Sequence, residues 1–308
     1  MSAVDVLELN RDFGLNGAVV FSQVDSGLIK ANIQAPICTA ELFLQGAHLT
    51  KWQPAGSDDV LFLSAKSLFQ PGKAIRGGIP VIFPWFGART KNDFCDRTDG
   101  PAHGFARTTN WTIVSTEIKA DNLVIVLKLK PTAISRELGF DQFTVLYEIT
   151  LGKELNLSLR VVNNSAKAMQ FEEAFHTYLA VADIRQTVLG GVGGHTYIDK
   201  TDEYKQKKES FLILLEGETD RIYLNAINPV MVVDEGGRRR NINIDKSNSG
   251  TTVFWNPWAE ATAKMADMEP DGWQRMVCVE TANAGVNAIV LGPGQSHTMQ
   301  ATISIDSN

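Results

Sequence analysis

Apolar and polar positions alternate with a period of two in several runs of the chain. "NLVIVLKLK" sets Leu123, Ile125, Leu127 and Leu129 on one face, and "LNLSLRVV" does the same with Leu155, Leu157, Leu159 and Val161. "TMQATISID" repeats the pattern with Met299, Ala301, Ile303 and Ile305. Side chains two apart share a face of a strand, so each run predicts a strand with one buried side. Turn-forming clusters separate such runs: "DSG" at 25–27, "PAGSDD" at 54–59, "NNS" at 163–165, "EGG" at 235–237 and "GPG" at 292–294. Short strands punctuated this way predict an antiparallel all-β protein. Helical spacing is confined to "WAEATAKMADM", residues 258–268. No Ser/Gly linker, low-complexity tract or repeat divides residues 1–308, so a single domain is expected.

Composition narrows the range of partners. The chain is 44% hydrophobic and 21% charged, ordinary for a globular protein with a large core. A net charge of −6 offers no global field for nucleic acid or anionic membrane. A phosphate-bearing ligand would need locally placed basic residues. The opening "MSAVDVLELNRDFG" lacks the basic and apolar segments of a signal peptide. No run approaches the roughly 18 apolar residues of a membrane span. Cys38, Cys95 and Cys278 are odd in number and without metal-ligand spacing, which predicts reduced thiols in a cytoplasmic protein.

Several segments carry chemistry that plain packing does not require. "AIRGGIPVIFPWFG" (74–87) places Arg76 in an apolar run bent by Gly77, Gly78, Pro80 and Pro84. A buried guanidinium costs several kcal/mol unless it meets an anion, so Arg76 is either paired internally or kept for a ligand. "QFEEAFHTYLAVADI" puts Glu172, Ala174, His176 and Tyr178 on one face of a predicted strand. His176 alone could be a satisfied core histidine; two acids and a tyrosine beside it point to a polar cleft. "RMVCVETAN" ends an apolar run on Glu280, either a strand emerging into water or a buried functional acid. "PAHGFART" adds His103 and Arg107 around Gly104, either as an exposed loop or as a second cation for the same ligand. Asp220 in "GETDRIYLN" reads by itself as a turn residue, "RRR" (238–240) as a solvated hairpin end, and "YKQKKE" (204–209) as a solvated charge run.

Together, "AIRGGIPVIFPWFG", "PAHGFAR", "FHTYLAVADI", "TDRIYLN" and "MADMEPDGWQRMVCVETAN" resemble the glucose-6-phosphate 1-epimerases, the phosphosugar branch of the galactose mutarotase-like group. The resemblance runs in order from about residue 15 to residue 305 and includes "QGAHLTKWQPAG". It implies a large antiparallel β-sandwich with few short helices, a cleft across one sheet, and neither metal nor organic cofactor. It implies His176 as general acid and Glu280 as general base. Arg76 and Arg107 then contact the phosphosugar, Asp220 binds sugar hydroxyls, and His103 lines the site. Some members carry glutamine just before the histidine of "HGxAR", where this chain has Ala102.

The residue types suit that chemistry on their own terms. Exchanging anomers requires a proton to leave the C1 hydroxyl while another reaches the ring oxygen, and one carboxylate with one imidazole supplies both. The expected partner is a hexose 6-phosphate, and the expected state a monomer or weak homodimer. Three other readings stay open: a mutarotase for free hexoses, a non-catalytic carbohydrate-binding module, and a glycosidase using Glu172 with Glu280.

Overall fold

The computed structural model describes residues 5–237 and 239–307. Among these residues, two large antiparallel sheets and two small ones account for the strands. The nine-stranded sheet runs in the order Leu212–Leu214, Thr187–Gly190, Val230–Asp234, Arg240–Ser247, Ser296–Ser307, Leu155–Asn163, Phe143–Leu151, Asn122–Leu129 and Thr112–Lys119. The period-two runs fall here. Leu155, Leu157, Leu159 and Val161 are buried while Asn156 and Arg160 face solvent, as the alternation predicts.

The seven-stranded sheet runs Lys205–Lys208, Thr196–Asp199, Thr219–Tyr223, Thr251–Asn256, Met276–Asn283, Glu173–Ala180 and Val81–Ile82. Two of its internal strands, Glu173–Ala180 and Met276–Asn283, are buried at all eight positions each. One face packs on the nine-stranded sheet, where Tyr147 stacks on Phe175 with ring centroids 5.5 Å apart. The other face is closed by loops. A four-stranded sheet (Val19–Gln23, Ile29–Ala35, Cys38–Phe43, His48–Pro54) flanks the pair, and Met169–Phe171 with Ile289–Leu291 makes a two-stranded clip. The main apolar cluster draws side chains from all four sheets, including Phe21, Ile125, Phe171, Phe175 and Val277. At 25–30 cal/mol per Å² of buried apolar surface, such a continuous core is the dominant stabilising term.

Polar bonds tie the large sheets together inside this core. The Lys246 ammonium reaches Thr252 Oγ1 (2.7 Å), and His297 Nε2 meets the Glu173 carboxylate (3.1 Å). Arg240 departs from the solvated hairpin end expected of "RRR". It is buried and donates to the carbonyls of Ala180 and Asp59, and Arg238 lies outside the described residues.

The helices also depart from expectation. Of "WAEATAKMADM" only Trp258–Thr262 is α-helical, and the rest turns sharply toward the 272–275 segment. The longest helix is Val6–Phe13, which starts where Asp5 accepts a hydrogen bond from the Leu7 amide and stops before Gly14. Its signals were an aspartate cap with Glu8 three residues on and a short stripe of Val6, Leu9 and Phe13 that packs on the core.

Candidate active site

These two buried internal strands bring His176 and Glu280 directly opposite one another. The His176 amide bonds away from that partner, to the Pro80 carbonyl at 3.0 Å. The two residues are therefore a non-hydrogen-bonded cross-strand pair, the kind in which Cα atoms approach to about 4.5 Å and side chains meet. His176 Nε2 lies 3.3 Å from Glu280 Oε1. The residues are 7% and 2% exposed. Glu280 is thus no carboxylate emerging into water; it is a buried acid.

The stretch around Arg76 forms the outer wall. Its carbonyls pair with the histidine strand: Gly78 accepts from the Tyr178 amide and Pro84 from the Glu172 amide, both at 2.9 Å. Proline suits this edge because it has no amide to leave unpaired. The turn bearing His103 and Arg107 packs against it, with Gly104 at φ +71° and a Cβ there falling 2.1 Å from the Phe83 carbonyl oxygen. Only glycine fits that approach. His103 sits in the left-handed region at φ +65° and accepts from the Gly87 amide at Nδ1 (3.2 Å), which leaves its proton on Nε2.

All six residues singled out in the sequence, Arg76, His103, Arg107, His176, Asp220 and Glu280, line one cavity of about 230 Å³. Phe86, Tyr178, Lys200 and Trp255 complete it. Asp220 is not in a turn but within the Thr219–Tyr223 strand, opposite Trp255. Glu172 stays out of the cavity, because its carboxylate accepts from the amides of Phe86 (2.7 Å) and Gly285 (2.6 Å). A carboxylate pair of Glu172 and Glu280 is thereby not assembled. A roomier cleft of about 390 Å³ lies beside Arg89, but that guanidinium is already stacked on Trp85 and bonded to the Leu138 carbonyl.

The three cations of the cavity differ in what they meet. Arg76 donates to Asp267 from Nε and Nη2, both at 3.1 Å, and to the Tyr178 hydroxyl at 3.0 Å. Burial opposes its charge, yet Tyr178 and Asp267 together hold the guanidinium more firmly protonated than usual. Lys200 is paired with Asp220 at 2.5 Å. Among the described residues Arg107 reaches only the Ala102 carbonyl, at 2.9 Å, and its buried Nε has no hydrogen-bond partner there. Burial accordingly pushes its pKa down. Asp267 and Lys200 were not foreseen: Asp267 lies in the segment read as helix, and Lys200 in a turn-like "DKTDE".

Electrostatics of the pair follow from the same inventory. Burial, then His103, Arg107 and Arg76, push the His176 pKa well below its ordinary value. Burial, then Asp220, push Glu280 well above the carboxylate range, against the pull of Lys200 and Arg107. Burial and the Arg107 charge bring His103 down to about 3, so it stays neutral. His176 Nδ1 and Glu280 Oε2, like Arg107 Nε, are buried without a hydrogen-bond partner. Each such atom costs about 1–3 kcal/mol, more when charged, so polar groups gather here at a cost that packing alone does not require.

Comparison with known proteins agrees with this geometry. The aldose 1-epimerase family profile matches residues 30–304, and the chain belongs to that family of isomerases. An Escherichia coli protein with the provisional name glucose-6-phosphate 1-epimerase is 34% identical over 87% of this chain and 88% of its own length. The crystal structure of a Salmonella typhimurium protein, provisionally a mutarotase, superposes with a TM-score of 0.87 at 28% identity, covering 96% of each chain. A galactose mutarotase-like protein from Clostridium acetobutylicum shares the fold, with a TM-score of 0.69 at 15% identity over 94% of this chain and 98% of that one.

Proposed function

We propose that this chain is a hexose-6-phosphate 1-epimerase that interconverts the α and β anomers of glucose 6-phosphate. The observation that carries the phosphosugar reading is Arg107, a half-buried guanidinium that pairs with no carboxylate among the described residues, lining the cavity of the His176–Glu280 pair. A charge left so is expensive unless an anion completes it. The name carried by the Escherichia coli relative supports the same substrate class.

In this reading Glu280 takes the proton from the C1 hydroxyl while His176 gives one to the ring oxygen. The C1–C2 bond turns in the open aldehyde, and the same groups close the ring on the other face. Burial and the Asp220 charge raise the Glu280 pKa, which makes it a stronger base than an ordinary carboxylate. His176 is held neutral partly by Arg107 and Arg76, and a bound phosphate dianion offsets those charges. Substrate binding therefore raises the His176 pKa and readies it as the acid. Asp220, steadied by Lys200, accepts sugar hydroxyls, and His103 offers its Nε2 proton beside them. Arg76 acts together with Asp267, orienting the sugar and contacting the phosphate with its two remaining N–H groups. The whole chain works as one unit, and free cysteines at Cys38, Cys95 and Cys278 suit a cytoplasmic setting. Among the described residues no helix is long and apolar enough to cross a membrane.

Anomer exchange followed by NMR on glucose 6-phosphate, glucose and galactose tests the reading. Exchange should be fastest on glucose 6-phosphate, and inorganic phosphate should compete with it. Equal rates on free and phosphorylated glucose would assign a free-hexose mutarotase, and no acceleration of any sugar would leave a binding module.

A further inference from the structure

The Leu212–Leu214 strand ends the nine-stranded sheet, and among the described residues no strand pairs its outer side. Edges of this kind are normally blunted by charge or irregularity. The opposite edge of the same sheet follows that rule, with Glu117, Lys119 and a register shift between Ile113 and Ser115. The free edge of the seven-stranded sheet, Lys205–Lys208, is a lysine run. The Leu212–Leu214 edge instead presents Phe211, Leu212 and Leu214 at 84%, 64% and 54% exposure.

The surface behind that edge is apolar as well. Across the outer face one row reads Leu212, Gly190, Met231, and the next reads Leu214, Val188, Val233. One strand further in, the rows turn polar, at Asn243 and Asn241. The apolar block is therefore confined to the last three strands and runs right up to the edge.

The charges on either side of the edge strand differ in sign. Lys208 is exposed on its N-terminal side, and Glu216 and Glu218 are exposed on its C-terminal side. A second copy laid antiparallel about Ile213 sets Leu212 of one chain opposite Leu214 of the other. The same operation places the lysine end of each beside the glutamate end of its partner. A parallel or foreign strand gains no such match. We propose that two copies of this chain associate through the Leu212–Leu214 edge, joining their nine-stranded sheets into one. The interface is isologous, the symmetry of most soluble dimers, and its three-residue core makes it weak.

Sedimentation equilibrium across about 1–200 µM full-length protein tests this, in the range where weak dimers dissociate. The mean mass should climb from one chain toward two. Leu212→Asp with Leu214→Asp should weaken the dissociation constant by about tenfold or more, a 1.4 kcal/mol change. Lys208→Glu alone should weaken it too, and adding Glu216→Lys with Glu218→Lys should restore it. The charge swap touches only exposed side chains, so it remains decisive if the leucine variants lose structure. A wild-type chain that stays monomeric throughout, or a dimer indifferent to both sets of changes, overturns the proposal. So does a monomer that sediments with phosphatidylserine vesicles through the same leucines, which would make the edge a membrane surface.

Discussion

Replacing Arg107 with alanine separates the phosphate contribution from everything else the cavity does. Among the described residues the guanidinium pairs with no carboxylate, and its one hydrogen bond is to the Ala102 carbonyl. Its removal orphans no buried acid and relieves a desolvated charge, so the thermal midpoint should hold or rise. What is lost is the interaction with the ligand. A charge-assisted hydrogen bond contributes roughly 1.5–3 kcal/mol, which is about 10–100-fold in kcat/KM for glucose 6-phosphate. Part of this should appear in kcat, because the phosphate lies far from C1 and its hold positions the ring. Lysine should recover little, since a point charge lacks the planar fork. Exchange on free glucose should change much less, moved only through the Arg107 charge that His176 and Glu280 feel. The assay is anomer exchange by NMR on both sugars, with a melting curve for each variant. An equal loss on both sugars would mean that Arg107 shapes the cavity and does not read the phosphate, and no loss on either would remove it from the site. Arg76→Ala is a poorer probe, because it leaves Asp267 facing a half-buried space without its cation.

Glu280→Gln and His176→Asn should each lower kcat by about 10²–10⁴ while substrate binding, measured by calorimetry, stays within a few-fold. A variant with near-native kcat would exclude its residue from proton transfer. Asp220→Ala should raise KM and leave Lys200 without its partner; unchanged kinetics with only a lower melting temperature would make the pair structural. Burial pushes Lys246 down to about 7. Between that value and the ordinary lysine value the unfolded chain binds more protons than the folded one, so stability should rise as pH climbs from 7 to 10, by linkage. In Lys246→Met the rise in melting temperature over that range should flatten, and an identical slope in both proteins would refute the burial argument.

Strands with one wet face were readable from sequence because alternation needs a polar side to alternate with. The runs at 122–130, 155–162 and 298–306 all proved to be strands of the outer-facing sheet. Glu173–Ala180 and Met276–Asn283 are buried on both faces, so periodicity could not mark them. There the signal was the reverse, a histidine and a glutamate where packing alone asks for neither. Arg76 was legible as a cation needing an anion, but Asp267, its partner 191 residues away, was not, because no local rule links them. Val6–Phe13 escaped for a different reason: its apolar stripe of Val6, Leu9 and Phe13 spans only two turns between the caps at Asp5 and Gly14, too short a run to stand out as a period.

The cross-strand register of His176 with Glu280 has an evolutionary consequence. Their separation is set by a ladder of backbone bonds deep in the sheet and cannot drift without sliding a whole strand. Arg76, Arg107 and Asp267 sit instead on connecting segments that cap the sheet. In the proposed reading the reaction is therefore inherited with the architecture, whereas the choice of sugar is carried by exchangeable parts. Grafting those three segments between family members should transfer preference for phosphorylated or free sugars while leaving the ring-opening chemistry in place.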